Sequence, residues 1–371
     1  MKNKIAIASA FIAASSFSTA EIVINDFLSF EGFVDMSYVH SNAEVENESE
    51  SENSFAIDQV EISWLFDFET VTAQIDIAYE GTDGDYEQVE QAFATYHMSD
   101  GGSITAGRFA SMLGFEAFEP TGLYQYSTAY DGGLVAEEVN SALDQELVDL
   151  GWSSAEIDTL RGILPGLPGY NQGVKYTYET DAAFFGVSVL DGNYDRSRLG
   201  GDTNDDGVSG QAFELAAAYD FGNGFAAFGG FRLDDGDVAD TTTFNTYATY
   251  ESGAWLFAAE YVFSELDIDQ NFADANTSGL SEVTINNALL MANYAYSDQA
   301  SVTGRISYSD QEIGNDVEAD WLKYTLAHGY AITDNLLLVT EISFIDGDIE
   351  FGGESEDFDG LEAAVELLFT F

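Results

Sequence analysis

Apolar and polar residues alternate along much of this chain, and an alternation with a period of two indicates β-strands with one apolar face. The segment 361–371 is the clearest example, because six alternate positions are apolar and Phe371 is the last of them. The pattern recurs at 60–68, 71–79, 174–178 and 302–308. A strand has this pattern when lipid lies on one side of a barrel wall and water on the other. The alternation therefore predicts a β-barrel that spans a membrane.

The connections between these segments alternate between short and long. The short connections are 69–70, 100–102, 180–181, 221–224, 252–253, 297–299 and 333–335. The long and acidic connections are 40–53, 80–86, 109–172, 191–210, 234–241, 264–281, 309–317 and 345–359. Outer-membrane barrels have short periplasmic turns, long extracellular loops and an even number of strands. We therefore predict an all-β fold, a transmembrane antiparallel β-barrel of about 16 strands.

The third long connection, 109–172, has helical spacing. Val135, Val139, Leu143 and Leu147 recur every four residues, which places them on one face of a helix. A second helix is predicted to begin at a capping box after Ser153 and to end near 163. We therefore expect a helical insertion, a hairpin within 133–163, in the third extracellular loop. Two positions stay open: the hairpin narrows or plugs the pore, or it packs on the outer rim or at a subunit contact.

The first 20 residues have the features of a secretory signal peptide. Lys2 and Lys4 precede a short apolar stretch, and Ser18-Thr19-Ala20 is a cleavage site of small residues. The apolar stretch is too short to remain in a bilayer as a transmembrane helix. We therefore predict a signal peptide at 1–20 and an outer-membrane β-barrel at 21–371, which reaches the outer membrane through the periplasm.

The composition is strongly acidic, with 10 Lys and Arg against 67 Asp and Glu and a net charge of −57. A surface of this charge repels nucleic acid, which excludes DNA and RNA as partners. Disordered acidic chains have few aromatic residues, but here aromatic residues make up 14% and apolar residues 46%. The chain has no cysteine, and a closed barrel keeps its strands paired without disulfides.

A run of residues before the predicted helices carries a family motif. It comprises Gly107-Arg108-Phe109, then Leu113-Gly114-Phe115-Glu116, then Tyr124, Tyr126, Ser127 and Tyr130. The following strands contain Gly173-Val174-Lys175-Tyr176-Thr177-Tyr178 and Val189-Leu190-Asp191-Gly192. Over residues 55–215 the chain resembles the β-barrel porin family that groups with OmpL-like outer-membrane channels. The resemblance implies a porin and no particular substrate; the helical insertion departs from the family pattern.

Basic residues are scarce, and five of them lie in predicted strands: Arg108, Lys175, Arg232, Arg305 and Lys323. A charge on the lipid face at the bilayer midplane costs about 2–4 kcal/mol, so we expect these residues to line the pore. The acids predicted to line the pore opposite them are Glu61, Asp67, Asp76 and Glu179. Two roles stay open: the set creates a transverse field that selects ions, or it neutralises buried carboxylates and stabilises the wall. The acidic balance predicts a preference for cations.

The segment 202–207 resembles the first half of a calcium-binding loop, with Asp202, Asn204 and Asp206 as ligands. The acidic residue required at the twelfth position is missing, because Phe213 occupies it. We expect a weakly bound Ca²⁺ here or a solvated acidic turn, and no other cofactor. No nucleophile elbow, P-loop or dinucleotide fingerprint occurs in the sequence, so we expect no enzyme.

These features predict an outer-membrane porin, a passive diffusion channel for small hydrophilic solutes or ions. The alternative is a structural or adhesive outer-membrane barrel with a plugged lumen and acidic, cation-binding loops. The expected partners are outer-membrane lipid, lipopolysaccharide and the barrel-assembly machinery, which would read the terminal strand ending at Phe371. By analogy with porins of this size, we also expect a homotrimer.

Overall fold

The chain forms an antiparallel β-barrel around a long internal loop in the computed structural model. The structure describes residues 21–45, 48–80, 88–116, 119–134, 148, 153–154, 157, 165–192, 210–236, 239–270, 280–314, 317–351 and 354–371. The predicted signal peptide and most of the predicted helical hairpin lie outside the described residues, so both stay predictions.

Each long strand pairs in antiparallel fashion with the next one along the chain. The strands are β1 (Ile22–Asn25), β2 (Leu28–Val45), β3 (Glu48–Asp67), β4 (Val71–Glu80), β5 (Gln88–His97), β6 (Gly102–Ala110), β7 (Tyr170–Glu179), β8 (Ala183–Asp191), β9 (Gln211–Asp220), β10 (Phe225–Asp235), β11 (Ala239–Ser252), β12 (Trp255–Ile268), β13 (Glu282–Ser297), β14 (Ala300–Ile313), β15 (Val317–Thr333), β16 (Leu336–Phe351) and β17 (Glu354–Thr370). The short β1 pairs with the start of β2. Because β17 also pairs with β2, the described strands β2 to β17 form a closed barrel of sixteen, which confirms the predicted fold class.

The outer face of the barrel is apolar. Leu290 and Leu326 are 63% and 56% exposed although both lie within strands, and lipid is the solvent in which such exposure is favourable. Near the short turn at 253, the ring of Trp255 stacks on the rings of Phe257 and Tyr294, with centroids 5.5 and 4.5 Å away. No helix in the described part of the chain is long and apolar enough to cross a membrane.

Four of the predicted long loops are wrong. The segments 40–53, 234–241, 309–317 and 345–359 are mostly strand, because β2 with β3, β10 with β11, β14 with β15 and β16 with β17 continue to pair to their far ends. Dense acidic residues led to the loop prediction, since Asp and Glu are depleted in strands. Here the backbone N–H and C=O groups of neighbouring strands form hydrogen bonds with each other, while alternate acidic side chains point to solvent.

The polarity of the wall is reversed at this end of the barrel. The outer face carries a row of directly opposed acids: Asp310, Asp320, Asp348 and Asp357. The inner face carries a buried apolar cluster, the mouth cluster: Ala43, Val45, Ala319, Trp321, Ile345, Ile349 and Phe358. Leu134 of the long loop packs against the mouth cluster. The prediction of polar residues on the inner face is wrong here, because the inner face packs against protein.

Gly32 lies at the seam where β17 meets β2. Its N–H donates to the carbonyl oxygen of Phe371 (2.8 Å), and its own carbonyl oxygen accepts from the N–H of Phe371 (2.9 Å). The Phe371 ring packs against Phe30, with the two centroids 6.3 Å apart. A Cβ at position 32 would collide with the carbonyl oxygen of Glu61 and lie 2.8 Å from the Phe371 ring. The seam therefore requires glycine at this position.

Replacing Gly32 with alanine is expected to destabilise the barrel by about 1–3 kcal/mol, because the added methyl group overpacks the seam. Urea unfolding of the refolded protein in detergent micelles measures this change. Gly304→Ala is the matched control, since a Cβ there meets nothing within 4 Å. Equal unfolding midpoints for the two variants would contradict the role of Gly32.

Candidate functional site

The segment 111–131 runs through the interior of the barrel after β6 ends at Ala110. Gly114 turns the chain with a φ of +108°, and a single 3-10 turn, η1, occupies Pro120–Gly122. Side chains of nine strands, β2, β3, β7, β9, β11, β12, β14, β15 and β16, form hydrogen bonds to this segment among the described residues. The segment, called the lumenal loop below, therefore crosses the lumen and narrows it.

Carboxylates of β9 and β12 hold the first part of the lumenal loop. Glu214 accepts hydrogen bonds from the N–H of Met112 (2.7 Å) and the hydroxyl of Ser111 (2.6 Å). Glu260 accepts from the N–H of Phe115 (2.7 Å). Bonds of this kind, between an ionised acceptor and a backbone donor, are about twice as strong as neutral ones. The acids of this wall thus satisfy the backbone of a segment that has no strand partner.

Glu341 of β16 holds the middle of the lumenal loop in the same way. One of its oxygens accepts from the N–H groups of Tyr126 (2.8 Å) and Ser127 (3.1 Å), and the other accepts from the Ser127 hydroxyl (2.6 Å). The hydroxyl of Ser343 donates to the same carboxylate (2.8 Å). These four hydrogen bonds are distributed over both oxygens of the buried Glu341 carboxylate.

Arg305 of β14 makes the most extensive contact with the lumenal loop. Its guanidinium pairs with the carboxylate of Glu116 (2.5 Å). It also donates to the carbonyl oxygen of Thr128 (2.9 Å) and the hydroxyl of Ser127 (3.2 Å). The Arg305 side chain is fully buried. The planar guanidinium carries five N–H donors in a rigid arrangement, so it can join three points of one loop.

Two further wall side chains bond to backbone carbonyl groups of the loop. The Nζ atom of Lys323 donates to the carbonyl oxygens of Asp131 (2.8 Å) and Thr128 (3.3 Å). The hydroxyl of Ser307 donates to the carbonyl oxygen of Ala129 (2.5 Å). Lys323 is 1% exposed. The positive charges of β14 and β15 thus act on the loop.

An apolar surface lies under the lumenal loop. The Phe115 ring packs against Tyr247, and Tyr247 stacks on Phe228, with centroids 5.6 and 4.5 Å apart. Leu289 and Met291 of β13 belong to the same buried cluster. The alternation predicted polar residues on the inner face and did not predict this apolar cluster. The sequence nevertheless indicates it, because runs such as 288–292 are apolar at consecutive positions, which means that both faces of the strand are covered.

The remaining basic residues of the predicted set contact the wall. Arg232 pairs with Asp234 (2.7 Å) and Glu214 (3.9 Å). The Nε atom of Arg108 donates to the backbone carbonyl oxygen of Glu90 (2.8 Å). Lys175 is placed over the ring of Phe109, with its Nζ atom 4.3 Å from the centroid. The structure does not bring the five predicted basic residues into one group.

The four acids that were predicted to line the pore lie in different environments. Asp76 is fully buried and accepts from Gln91 (2.6 Å) and Gln74 (2.9 Å). Asp67 is the exposed last residue of β3, and Glu179 is the half-buried last residue of β7. Glu61 is buried under the lumenal loop.

Sequence reasoning missed the wall carboxylates that hold the loop, Glu214, Glu260 and Glu341. Each is a single acid between apolar neighbours in a strand, and an ionisable residue in a membrane segment indicates function. Glu119 of the lumenal loop was also missed. It accepts hydrogen bonds from Tyr170 (2.7 Å) and Gln59 (2.9 Å), and its burial raises its pKa.

Asp202, Asn204 and Asp206, predicted as weak calcium ligands, lie outside the described residues. That site stays a prediction.

Negative charge exceeds positive charge inside the barrel. The ion pairs of the described residues join Arg232 to Glu214 and Asp234, and Arg305 to Glu116. The buried carboxylates of Asp35, Glu61 and Glu366 take part in none of these pairs.

The profile of a family described as Gram-negative porin matches residues 6–350. A sequence comparison with curated proteins finds no match. Among solved structures, an anion-selective porin from Comamonas acidovorans is similar with a TM-score of 0.60 and 13% identity, over 93% of this chain and 99% of that one. The trimer form of OmpT, an outer membrane protein of Vibrio cholerae, has a TM-score of 0.56 and 13% identity, over 93% and 99%. OmpF of Salmonella typhi in complex with daunomycin has a TM-score of 0.57 and 15% identity, over 95% and 100%.

Proposed function

This chain belongs to the Gram-negative porin family, and from this premise we propose that it is a passive diffusion channel for small hydrophilic solutes that prefers cations. The family and the barrel make it a channel protein of the outer membrane, which confirms the predicted class and location. A barrel of about 16 strands is wide enough to hold an aqueous channel. Solutes would pass between the lumenal loop and the part of the wall that it leaves free.

The charge balance inside the barrel is the observation that supports a preference for cations. Nine acids of the described residues are buried, against three basic residues, Arg232, Arg305 and Lys323. An ion in the lumen would therefore meet a net negative potential, and low-dielectric walls strengthen it.

Single-channel conductance of the refolded protein in planar bilayers, with the reversal potential under a KCl gradient, tests the proposal. We expect stable conductance steps and a reversal potential of the sign that K⁺ permeation produces. Absence of conductance from protein shown to be folded would exclude the diffusion channel. A reversal potential of the opposite sign would exclude the cation preference alone.

Replacing Asp35 with Asn and Glu366 with Gln together is expected to lower the permeability ratio of K⁺ to Cl⁻ at least about five-fold. At an effective dielectric constant of about 40, one unit charge about 8 Å from a permeating cation contributes about 1 kcal/mol, and its effect on the anion has the opposite sign. The readout is again the reversal potential. Asp267→Asn, on the exposed outer face, is the control and is expected to leave the ratio unchanged. If the control and the double variant shift it equally, the lumenal carboxylates do not set the selectivity.

A second candidate function is a closed barrel whose acidic surface binds cations or partners. The mouth cluster favours it, because an apolar inner face contacted by Leu134 is unusual for a water-filled entrance. The bilayer recording separates the two candidates, since a closed barrel gives no conductance while folded.

We further propose the partners that a porin requires. The apolar belt contacts outer-membrane lipid and lipopolysaccharide, and the barrel-assembly machinery reads the strand that ends at Phe371. A homotrimer is supported by the trimeric OmpT structure that this chain resembles, and its mass in detergent tests this assembly. We assign no catalytic activity to this chain.

A further inference from the structure

Three glutamates from separate parts of the chain meet at one side of the lumen. Glu61 lies on β3, Glu90 on β5 and Glu119 on the lumenal loop. One carboxylate oxygen from each lies within 4.8 Å of the other two. Glu61 and Glu90 are 6% and 5% exposed, so water screens their repulsion poorly. Such a group needs a positive partner or shared protons.

The Glu61 carboxylate has an oxygen that no donor in the described part of the chain satisfies. Its Oε1 atom accepts the hydroxyl of Ser63 (2.9 Å), but its Oε2 atom is buried and has no hydrogen-bond donor among the described residues. Glu61 and Glu119 are absent from the ion pairs of the described residues. Arg108 approaches from β6 but donates its Nε–H to the backbone carbonyl oxygen of Glu90. A buried, unsatisfied anionic oxygen is costly, which points to a ligand at this place.

The donor set selects the kind of ligand. Three carboxylates without imidazole or thiolate are the ligands of a hard cation. Ca²⁺–oxygen distances of about 2.3–2.6 Å put ligand oxygens roughly 3.3–5 Å apart, whereas Mg²⁺ draws opposite oxygens to about 4.1 Å. The three glutamate oxygens lie within 4.8 Å of one another, inside the range that the wider and more flexible ligand shell of Ca²⁺ accepts. Bidentate binding and water would complete the six to eight oxygens that Ca²⁺ takes.

We propose that Glu61, Glu90 and Glu119 bind one Ca²⁺ ion that fastens the lumenal loop to β3 and β5. On β14 and β15, Arg305 and Lys323 supply the positive charge that holds the loop. On the β3 side, an acid of the loop lies beside acids of the wall, so a metal ion takes the role that the basic residues have on β14 and β15. The site is separate from the predicted calcium loop at 202–207.

Terbium luminescence tests this site, because Tb³⁺ binds in place of Ca²⁺ and is excited through nearby tyrosine. The hydroxyl of Tyr170 donates to Glu119, so Tyr170 is positioned to excite a bound ion. We expect one tight Tb³⁺ site per folded chain, displaced by Ca²⁺. Glu61→Gln and Glu119→Gln are each expected to weaken it at least about ten-fold. Glu318→Gln removes an exposed outer carboxylate as the matched control and is expected to retain the site.

Thermal unfolding in EDTA and in Ca²⁺ gives a second readout that is independent of luminescence. Removing one charge relieves repulsion, so Glu61→Gln should melt higher than the wild type in EDTA and lower than it in Ca²⁺. Shared protons would give no dependence on Ca²⁺. The proposal would be overturned if both glutamine variants retained tight Tb³⁺ binding, or if the melting temperature of the wild type were the same in EDTA and in Ca²⁺. Conductance in EDTA is recorded separately, so failure of the metal site leaves the channel proposal standing.

Discussion

Replacing Arg305 with methionine is expected to lower the free energy of unfolding by about 3–5 kcal/mol, because the change leaves the Glu116 carboxylate, whose side chain is only 12% exposed, without its counter-charge. Arg305 is the only described wall residue that pairs with a carboxylate of the lumenal loop, Glu116. Its guanidinium also holds the Thr128 carbonyl oxygen and the Ser127 hydroxyl. Methionine has a comparable length but provides no donor. The loop should lose its central attachment, and single channels should become noisy.

Urea unfolding in detergent micelles and single-channel recording measure the two parts of this prediction. The double variant Arg305→Met, Glu116→Leu is the sharpest control. It removes both charges, and a buried ion pair replaced by apolar residues often costs little or nothing. The double variant should therefore recover much of the free energy of unfolding, while its single-channel current stays noisy. If the single variant is as stable as the wild type, the pair does not hold the loop.

Deleting 133–163, with a short Gly-Ser linker in its place, is expected to enlarge the conductance and to destabilise the mouth of the barrel. The deletion removes Leu134, which packs on the mouth cluster, and Ile157, which is 5% exposed. Each large side chain of the mouth cluster that becomes exposed, such as Trp321 or Ile349, would cost about 1.5–3 kcal/mol. The deletion therefore tests whether this segment obstructs the channel.

Bilayer recording and binding of a hydrophobic dye measure the effect of the deletion. Larger steps together with increased dye binding would show that the segment both narrows the entrance and covers apolar wall. Unchanged conductance from folded protein would mean that the segment lies outside the solute path, as in the rim position left open above. A pore that appears only after the deletion would favour the closed barrel for the native chain.

The barrel and its outward face could be predicted from the sequence because the requirement of lipid applies to each residue separately. Val302 and Ile306 must be apolar whatever else the chain does, so an alternation over a few residues reveals their orientation. Beyond the lipid, the outer face of the barrel contacts water, so its residues no longer need to be apolar. The acidic ends of β16 and β17 therefore resemble loops in sequence, although Asp346 pairs opposite Asp359 in the ladder.

The interior depended on contacts between distant parts of the chain. Glu341 binds the N–H of Tyr126 from 215 positions away, and no local pattern could pair these residues. The inward orientation of Arg305 was predictable, but its partner Glu116 was not, since that depends on the path of the lumenal loop. The approach of Glu119 to Glu61 and Glu90 depends on the same path.

The sequence by itself thus determined the class of fold, the number of strands and the face that meets the lipid, because strand periodicity and membrane solvation are local properties. Only the tertiary structure decided what occupies the lumen. The lumenal loop bonds to residues 51 to 215 positions away, on nine strands, and its course follows from the sum of these hydrogen bonds, ion pairs and apolar contacts. Such a sum depends on three-dimensional proximity, which closure of the barrel creates.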